Sequence, residues 1–381
     1  MTALAMITNK LLTNYSNNKI STVIQTDLSS AFDTVDHKIL LNKLDHYGIR
    51  GKCLNIIKSF LSDRRQYVSI DSIESNIQPS LQCSVIQGSK LSALLYTLYI
   101  NEVPRIHELL NSNIYNLITG ENNNINNNIV EHLTIQYVDD SNNIITTNSS
   151  DDIEAYINKY FKLVENFYNI NKLKINPDKS KLMIVCKPTY RSSTNSIVLQ
   201  TSQVVIEQVQ KVKALGMYIS SGLTNHANVS NIISKVNFRL SVLREVFKYA
   251  EYRTKIILMN SLVVSIFRYS CPLLIDSNAI IINKLQTLLM KCARQILGFK
   301  SYKMNTVNIM KEVKMLTVHH LIIKESIGFI HKIIFNENPK CIFKLLEYNS
   351  QDSGNIRKVR KMRVNENIIY KWFIYKVFWY S

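Results

Sequence analysis

Residues 135–145, Ile-Gln-Tyr-Val-Asp-Asp-Ser-Asn-Asn-Ile-Ile, set two aspartates side by side between two apolar segments. The flanks read as strands and the centre as the turn of a hairpin. Adjacent carboxylates repel and a strand gains nothing from them. A second segment gives the pair a context. Residues 20–28, Ile-Ser-Thr-Val-Ile-Gln-Thr-Asp-Leu, read as a buried strand ending at Asp27. If the two strands are neighbours in one sheet, Asp27, Asp139 and Asp140 converge at one edge. Carboxylate-only oxygen clusters suit Mg2+ or Mn2+. Two such ions about 3.5–4 Å apart activate an attacking hydroxyl and stabilise a leaving group in one in-line step. Alone, the Tyr-Val-Asp-Asp turn is a weak signal, because a solvated acidic turn is the commoner use of such residues.

The 381 residues exceed one ordinary core and predict two or three domains. Only 9 Gly and 6 Pro occur, which favours helices, and 46% hydrophobic residues supply a core. The net charge of +18 is uneven. Residues 1–230 hold 21 Lys/Arg against 19 Asp/Glu, and residues 231–381 hold 25 against 9. A general lysine bias would not spare the first 230 residues, so the asymmetry predicts a polyanionic partner for the C-terminal part, most simply nucleic acid. The six cysteines (53, 83, 186, 271, 292 and 341) form no Cys-x-x-Cys pair. Neither a zinc site nor a disulfide framework is expected, and an intracellular location, nuclear or cytoplasmic, follows. No signal peptide is expected from the quickly polar first ten residues. The apolar run 256–267 is broken by Asn260 and Ser261, so no membrane span is expected.

Spacing predicts helices over 36–51, with Gly48 at the stop, and over 52–63. Residues 65–89 alternate as a β-ribbon, and 90–104 form a helix halted before Pro104. The Asn-rich stretch of about 111–131 reads as an inserted surface loop. A long amphipathic helix follows the hairpin at about 151–171, then a turn and strand over 175–185. Beyond a boundary near Gly222, three basic helices are expected at 229–250, 252–270 and 278–298.

Five blocks in order carry a resemblance. Gln25–Gly51, "QTDLSSAFDTVDHKILLNKLDHYGIRG", resembles the first catalytic block of reverse transcriptases of the non-LTR (LINE-like) retrotransposon type. "VIQGSKLSALLYTLYINEVP" is similar to the second, "YVDD" to the catalytic hairpin, "NKLKINPDKSKLMI" to the next block and "VKALGMYIS" to the primer grip. The helix "KLQTLLMKCARQILG" resembles the family's thumb. The implied fold is α+β. A polymerase palm, an antiparallel sheet with helices packed on one face, would occupy 1–220 with a remnant of the fingers. An all-α basic thumb would follow over 221–300, and a basic region over 301–381.

The resemblance implies a role for each matching residue. Asp27 and Asp139 would bridge two Mg2+ (or Mn2+) ions, with Asp140 a lesser ligand. Lys179 would protonate the leaving pyrophosphate, with Lys181 near enough to compete. Phe32 would crowd the sugar 2′-position and exclude ribonucleotides, unless it is only a core aromatic. Gln87 would contact nucleotide or template, Gly88 would let backbone approach closely, and Tyr137 would lie under the primer terminus. Arg64 and Arg65 match a basic position in an Arg-x-Gln-x-Val stretch. Leu215 and Gly216 match the primer grip, while Lys235, Arg239 and Arg244 would track phosphates of an RNA template–DNA primer duplex. The stretch Arg357–Arg363, followed by Tyr370, Trp372 and other aromatics, suits single-stranded nucleic acid.

Two departures qualify what the resemblance implies. Ser84 and Ile86 stand where the family pattern has Gly and Pro before Gln-Gly. Only 26 residues precede Asp27, so most of the fingers is expected to be missing, and a separate fingers or endonuclease polypeptide is a possible partner. The expected function is extension of a primer 3′-OH with dNTPs on an RNA template. The alternative is a catalytically inactive remnant, or a maturase-like module, that binds nucleic acid.

Overall fold

The structure is a computed structural model. It describes residues 2–65, 67–77, 83–111, 129–148, 153–189, 199–200, 205–275, 277–298 and 304–336, with the short segments 346–347 and 363–364. The Asn-rich insert lies almost wholly outside the described residues, as does the basic-aromatic segment 357–379 apart from Arg363–Val364. The chain divides into two compact units, Asn18–Val212 and Met1–Asn17 with Lys213–Ser381. Contacts therefore group 1–17 and 213–220 with the C-terminal helices, whereas the sequence reading groups them with the sheet.

The first unit is built on β1 (Ile20–Thr26), every residue of which is buried. It pairs antiparallel on one side with β5 (Asp140–Thr147) and on the other with β6 (Lys181–Val185). β4 (Ile129–Tyr137) completes the order β4-β5-β1-β6. Along β1, Ile20 and Ile24 face one core, joined by Ile145 of β5 and by Leu182 and Ile184 of β6. Helices α4 (Lys90–Tyr99) and α5 (Ile153–Ile170) cover this face through Tyr96, Tyr99, Tyr160, Phe161 and Tyr168. Val23, Ile144 and Met183, which alternate with these, are buried as well. A strand buried on both faces reads as continuously apolar, which is why 20–26 shows little alternation.

α2 (His37–His46) starts at Asp36, whose side chain accepts from the Ile39 N–H at 3.0 Å. It stops as expected at Gly48, with φ +87°. α3 is Gly51–Leu61. The ribbon expected over 65–89 is much shorter: only β2 (Ser69–Ile70) and β3 (Ile73–Glu74) pair among the described residues. Both strands are exposed, so no packed neighbour extends them beyond two residues.

The second unit holds α1 (Thr2–Ser16) and a hairpin of β9 (Lys211–Ala214) and β10 (Met217–Ser220), which the chain reaches after the short pair β7 (Leu199–Gln200) and β8 (Val205–Ile206). Helices α6 (His226–Val246), α7 (Tyr252–Met259), α8 (Ser265–Ser270) and α9 (Ala279–Leu297) follow, then α10 (Thr306–Glu312) and α11 (Val318–Asn336). Val236 and Leu240 of α6, Phe267 of α8 and Leu285 and Leu289 of α9 meet in one core. Among the described residues, Tyr252–Leu273 alone is long and apolar enough to cross a membrane by length and composition. A π-helical turn at Asn260–Val264 interrupts it, and Met259, Val263 and Phe267 are buried in the helical core.

Candidate active site

The sheet brings the three aspartates to one edge. Thr26 faces Ser141 in the register, so Asp27 leaves β1 beside Asp140 at the start of β5. Tyr137 pairs with Asp140 across a two-residue turn, Val138-Asp139. Val138 sits at φ +56°, a region that a β-branched residue adopts only under strain. The turn holds Asp139 outward and exposed, while Asp27 and Asp140 are half-buried.

Asp27 and Asp140 both feel their carboxylate neighbours. Burial pushes the Asp27 carboxyl above its ordinary range, Lys179 pulls it back, and Asp139 adds a further push. Asp140 is likewise raised by burial first, then by Asp139 and Asp27. Such a set is stabilised by cations.

Asp27 is fixed through the loop after α5. Its N–H donates to Ser180 Oγ at 3.1 Å, and its carbonyl accepts from Asn176 N–H at 2.9 Å. Ser29 N–H donates to the Lys174 carbonyl at 2.8 Å. The Asn176 side chain caps the following turn by accepting from the Asp178 and Lys179 amides. Pro177 presets that turn, which delivers Lys179 Nζ to 3.8 Å from Asp27 Oδ1. Sequence patterning gave no sign of Ser180, whose hydroxyl is buried behind Asp27. We expect Ser180→Ala to lower stability by about 1–2 kcal/mol, the cost of an orphaned buried donor. It should also lower any turnover that depends on Asp27. Urea unfolding and a rate measurement check this, and unchanged values in both would contradict it.

Beneath the hairpin lies a buried polar network. Asn143 Oδ1 accepts from Thr134 Oγ1 and from Tyr160 Oη, both at 2.7 Å. His132 of β4 stacks on His107 at 4.6 Å and meets the Tyr160 ring edge-on at 4.4 Å. Its Nδ1 lies 3.3 Å from Tyr156 Oη. Burial, then the charge of His107, draws its pKa from 6.5 down to about 3, against the Asn143 side chain, which favours the protonated ring. A base depressed on folding contributes stability that is complete above 6.5 and is lost as pH falls toward the folded value. The melting temperature of the wild type should therefore drop as pH falls below 6.5. His132→Phe should flatten that limb, and identical limbs in the two proteins would contradict the assignment.

Phe32 stacks on Tyr96 of α4, with centroids 4.9 Å apart and planes 18° from parallel. Tyr96 was missed in the sequence reading. Its hydroxyl is buried without a hydrogen-bond partner, and its pKa is raised by burial first, with Tyr168 and Asp139 adding to it. Gln87 Nε2 donates to Asp33 Oδ1 at 3.3 Å. Gly88 has φ +88°, and a Cβ there would meet nothing within 4 Å. Its backbone conformation, rather than a close neighbour within the chain, is what calls for glycine. Tyr137 is exposed. Arg64 is half-buried and donates to the Ser84 carbonyl at 3.1 Å, while Arg65 is exposed.

The remaining expected residues belong to the second unit. Leu215 (φ +48°) and Gly216 (φ +82°) form the turn between β9 and β10, and Tyr269 Oη donates to the Leu215 carbonyl at 2.5 Å. Gly216, Lys235, Phe238, Arg239 and Tyr269 line a cleft of about 420 Å³. The Arg239 guanidinium donates to the Leu262 carbonyl in the π-helical turn. Lys235 and Arg244 are exposed.

The chemistry of the donor set suits a hard divalent cation: it is all carboxylate oxygen, and Asp139 raises the proton affinity of both Asp27 and Asp140. The Tyr96 hydroxyl, buried nearby without a partner, leaves a further polar oxygen at the site. Among the described residues no three His, Cys, Asp or Glu side chains, the three aspartates included, stand close enough together to hold a metal ion as they are placed. The carboxylates line an open edge, with Lys179 on one of them.

The family model described as "Reverse transcriptase (RNA-dependent DNA polymerase)" matches residues 4–219. A probable RNA-directed DNA polymerase from transposon BS of Drosophila melanogaster is 23% identical over 62% of this chain and 24% of its own length. The RNA-directed DNA polymerase from mobile element jockey, also of Drosophila melanogaster, is 24% identical over 81% of this chain and 32% of its own length. The chain thus spans about a quarter to a third of these relatives. Among solved structures, apo telomerase from Candida tropicalis matches with a TM-score of 0.42 and 12% identity, over 89% of this chain and 56% of that one. So distant a likeness adds no weight. The family match spans every block from the helix before β1 to the β9–β10 hairpin, and the chain belongs to the reverse transcriptase family of RNA-dependent DNA polymerases.

Proposed function

We propose that this chain is the catalytic core of an RNA-directed DNA polymerase that extends a primer 3′-OH with dNTPs. One observation carries the reading: Asp27, more than a hundred residues from the hairpin, leaves β1 directly beside Asp140 and within electrostatic reach of Asp139. The sheet-bearing unit acts as the palm, and the helices after Gly222 as the thumb. Asp27 and Asp139 would hold two Mg2+ or Mn2+ ions, with Asp140 assisting. When bound, the ions activate the primer hydroxyl and neutralise the phosphates in an in-line displacement.

The chain's own residues do the rest. Lys179, beside Asp27, gives a proton to the departing pyrophosphate. Phe32, braced by Tyr96, walls the sugar 2′-position, and Gln87 faces the nucleotide or template. Tyr137 supports the primer terminus, with Leu215 and Gly216 as the grip. Lys235 and Arg239, one turn apart on α6, contact duplex phosphates, and Arg244 on the opposite side of the helix adds to the positive field. The process takes place inside a cell, and a separate polypeptide supplying fingers or endonuclease functions is compatible with it.

The purified chain should add dTTP to oligo(dT) annealed to poly(rA) in Mg2+ or Mn2+. Silence in both metals, together with salt-sensitive binding to the same duplex, would favour the nucleic-acid-binding alternative.

A further inference from the structure

The segment leading to Gln87 is held in an unfavoured conformation. Ser84 has φ +91° and is 8% exposed, an L residue in backbone space natural to glycine. Nothing in its own side chain explains this. The two peptides flanking its Cα do. The peptide before it is pinned by the Ser84 N–H, which donates to the Val35 carbonyl at 2.9 Å. Cys83 and Asp36 pair as an antiparallel bridge alongside. The peptide after it is pinned at both ends. Val85 N–H donates to the Phe32 carbonyl at 2.8 Å. The Ser84 carbonyl accepts from His37 Nε2 at 2.8 Å and from Arg64 Nη1 at 3.1 Å, one for each lone pair.

We propose that Arg64 and His37 are positioning residues that clamp the strained Ser84 peptide, locking the segment of Gln87 to the segment of Phe32. Arg64 spends its guanidinium on backbone rather than on a nucleic-acid phosphate. The clamp stands on these hydrogen bonds alone. That its consequence is a nucleotide pocket of fixed shape rests on the polymerase reading above. The start of α2 and the loop after α3 meet on the Ser84 carbonyl, while the loop after β1 accepts from the two amides on either side of it. Without its two side-chain donors, the Ser84–Val85 peptide is free to rotate and Ser84 relaxes to negative φ. The Val85–Phe32 bond then breaks.

Hydrogen exchange of the full chain, read at the Ser84 and Val85 amides, tests this without requiring activity. Arg64→Ala should speed exchange there at least tenfold while leaving the β1 amides unchanged. Ser84→Gly removes the strain, so in that background Arg64→Ala should speed exchange less than about threefold. Arg64→Lys keeps the charge with a single-point donor and should restore protection only in part. Equal acceleration in both backgrounds, or none in either, overturns the clamp.

A second arm measures binding of the poly(rA)–oligo(dT) duplex against salt. The clamp predicts the same salt slope for wild type and Arg64→Ala. A slope reduced by about one in the variant marks a lost phosphate contact and overturns the proposal. If the wild type incorporates no dTTP at all, the polymerase reading falls, while the exchange data still decide the clamp.

Discussion

Replacing Asp139 with Asn lowers dTTP incorporation by about a thousandfold or more and leaves the chain folded. The size follows from what the carboxylate does. Removing one shared ligand costs several kcal/mol of charge stabilisation in the transition state, and about 1.36 kcal/mol is a factor of ten. The effect on stability has the opposite sign. Asp27 and Asp140 are raised by burial, and Asp139 adds to the rise in each. A carboxyl whose pKa is raised on folding contributes stability below its ordinary pKa, and that contribution is lost as pH rises through the folded value. At neutral pH the cluster therefore weakens the fold, so the neutral Asn should hold or raise the melting temperature. Lost activity with a lowered melting temperature would mean that Asp139 is structural. Retained activity would remove it from the chemistry.

The second large effect lies under the hairpin. Asn143 is fully buried, and its amide oxygen takes hydroxyl protons from Thr134 and Tyr160. Asn143→Leu keeps the volume but leaves both hydroxyls without an acceptor in a dry interior. The expected loss is about 3–5 kcal/mol, at the upper end for single substitutions. Urea unfolding measures it. Adding Tyr160→Phe to the same chain should recover part of the loss, because one orphaned hydroxyl is then gone. A loss below about 1 kcal/mol would show that the network does not hold the hairpin.

Much of this was legible in the sequence, because the catalytic parts are local patterns. The strand ending at Asp27, the aspartate turn and the Asn-Pro turn that delivers Lys179 are each set by residues within a few positions of one another. The long helix expected at about 151–171 is Ile153–Ile170, and that expected from 278 is Ala279–Leu297. What stayed hidden depends on tertiary contact. Ser180 shows its role only once the loop after α5 lies along Asp27. Tyr96 looks like any aromatic on an apolar helix until Phe32 stacks on it. In sequence Arg64 suits a solvated turn as well as a phosphate contact, because its partner, the Ser84 carbonyl, is twenty residues on. Among the described residues of 65–89 the ribbon is short for the converse reason: alternation without a packed neighbour does not sustain strands.

The claim beneath all of this is that Asp27 and Asp139 jointly grip hard cations. Electron paramagnetic resonance of free Mn2+, titrated against the chain in the presence of poly(rA)–oligo(dT) and dTTP, measures that grip directly. The account predicts that the wild type depletes free Mn2+ beyond what the duplex and nucleotide bind by themselves, and that Asp27→Asn and Asp139→Asn each lose most of this excess. Excess binding that persists undiminished in both variants, or its absence from the wild type, would contradict it.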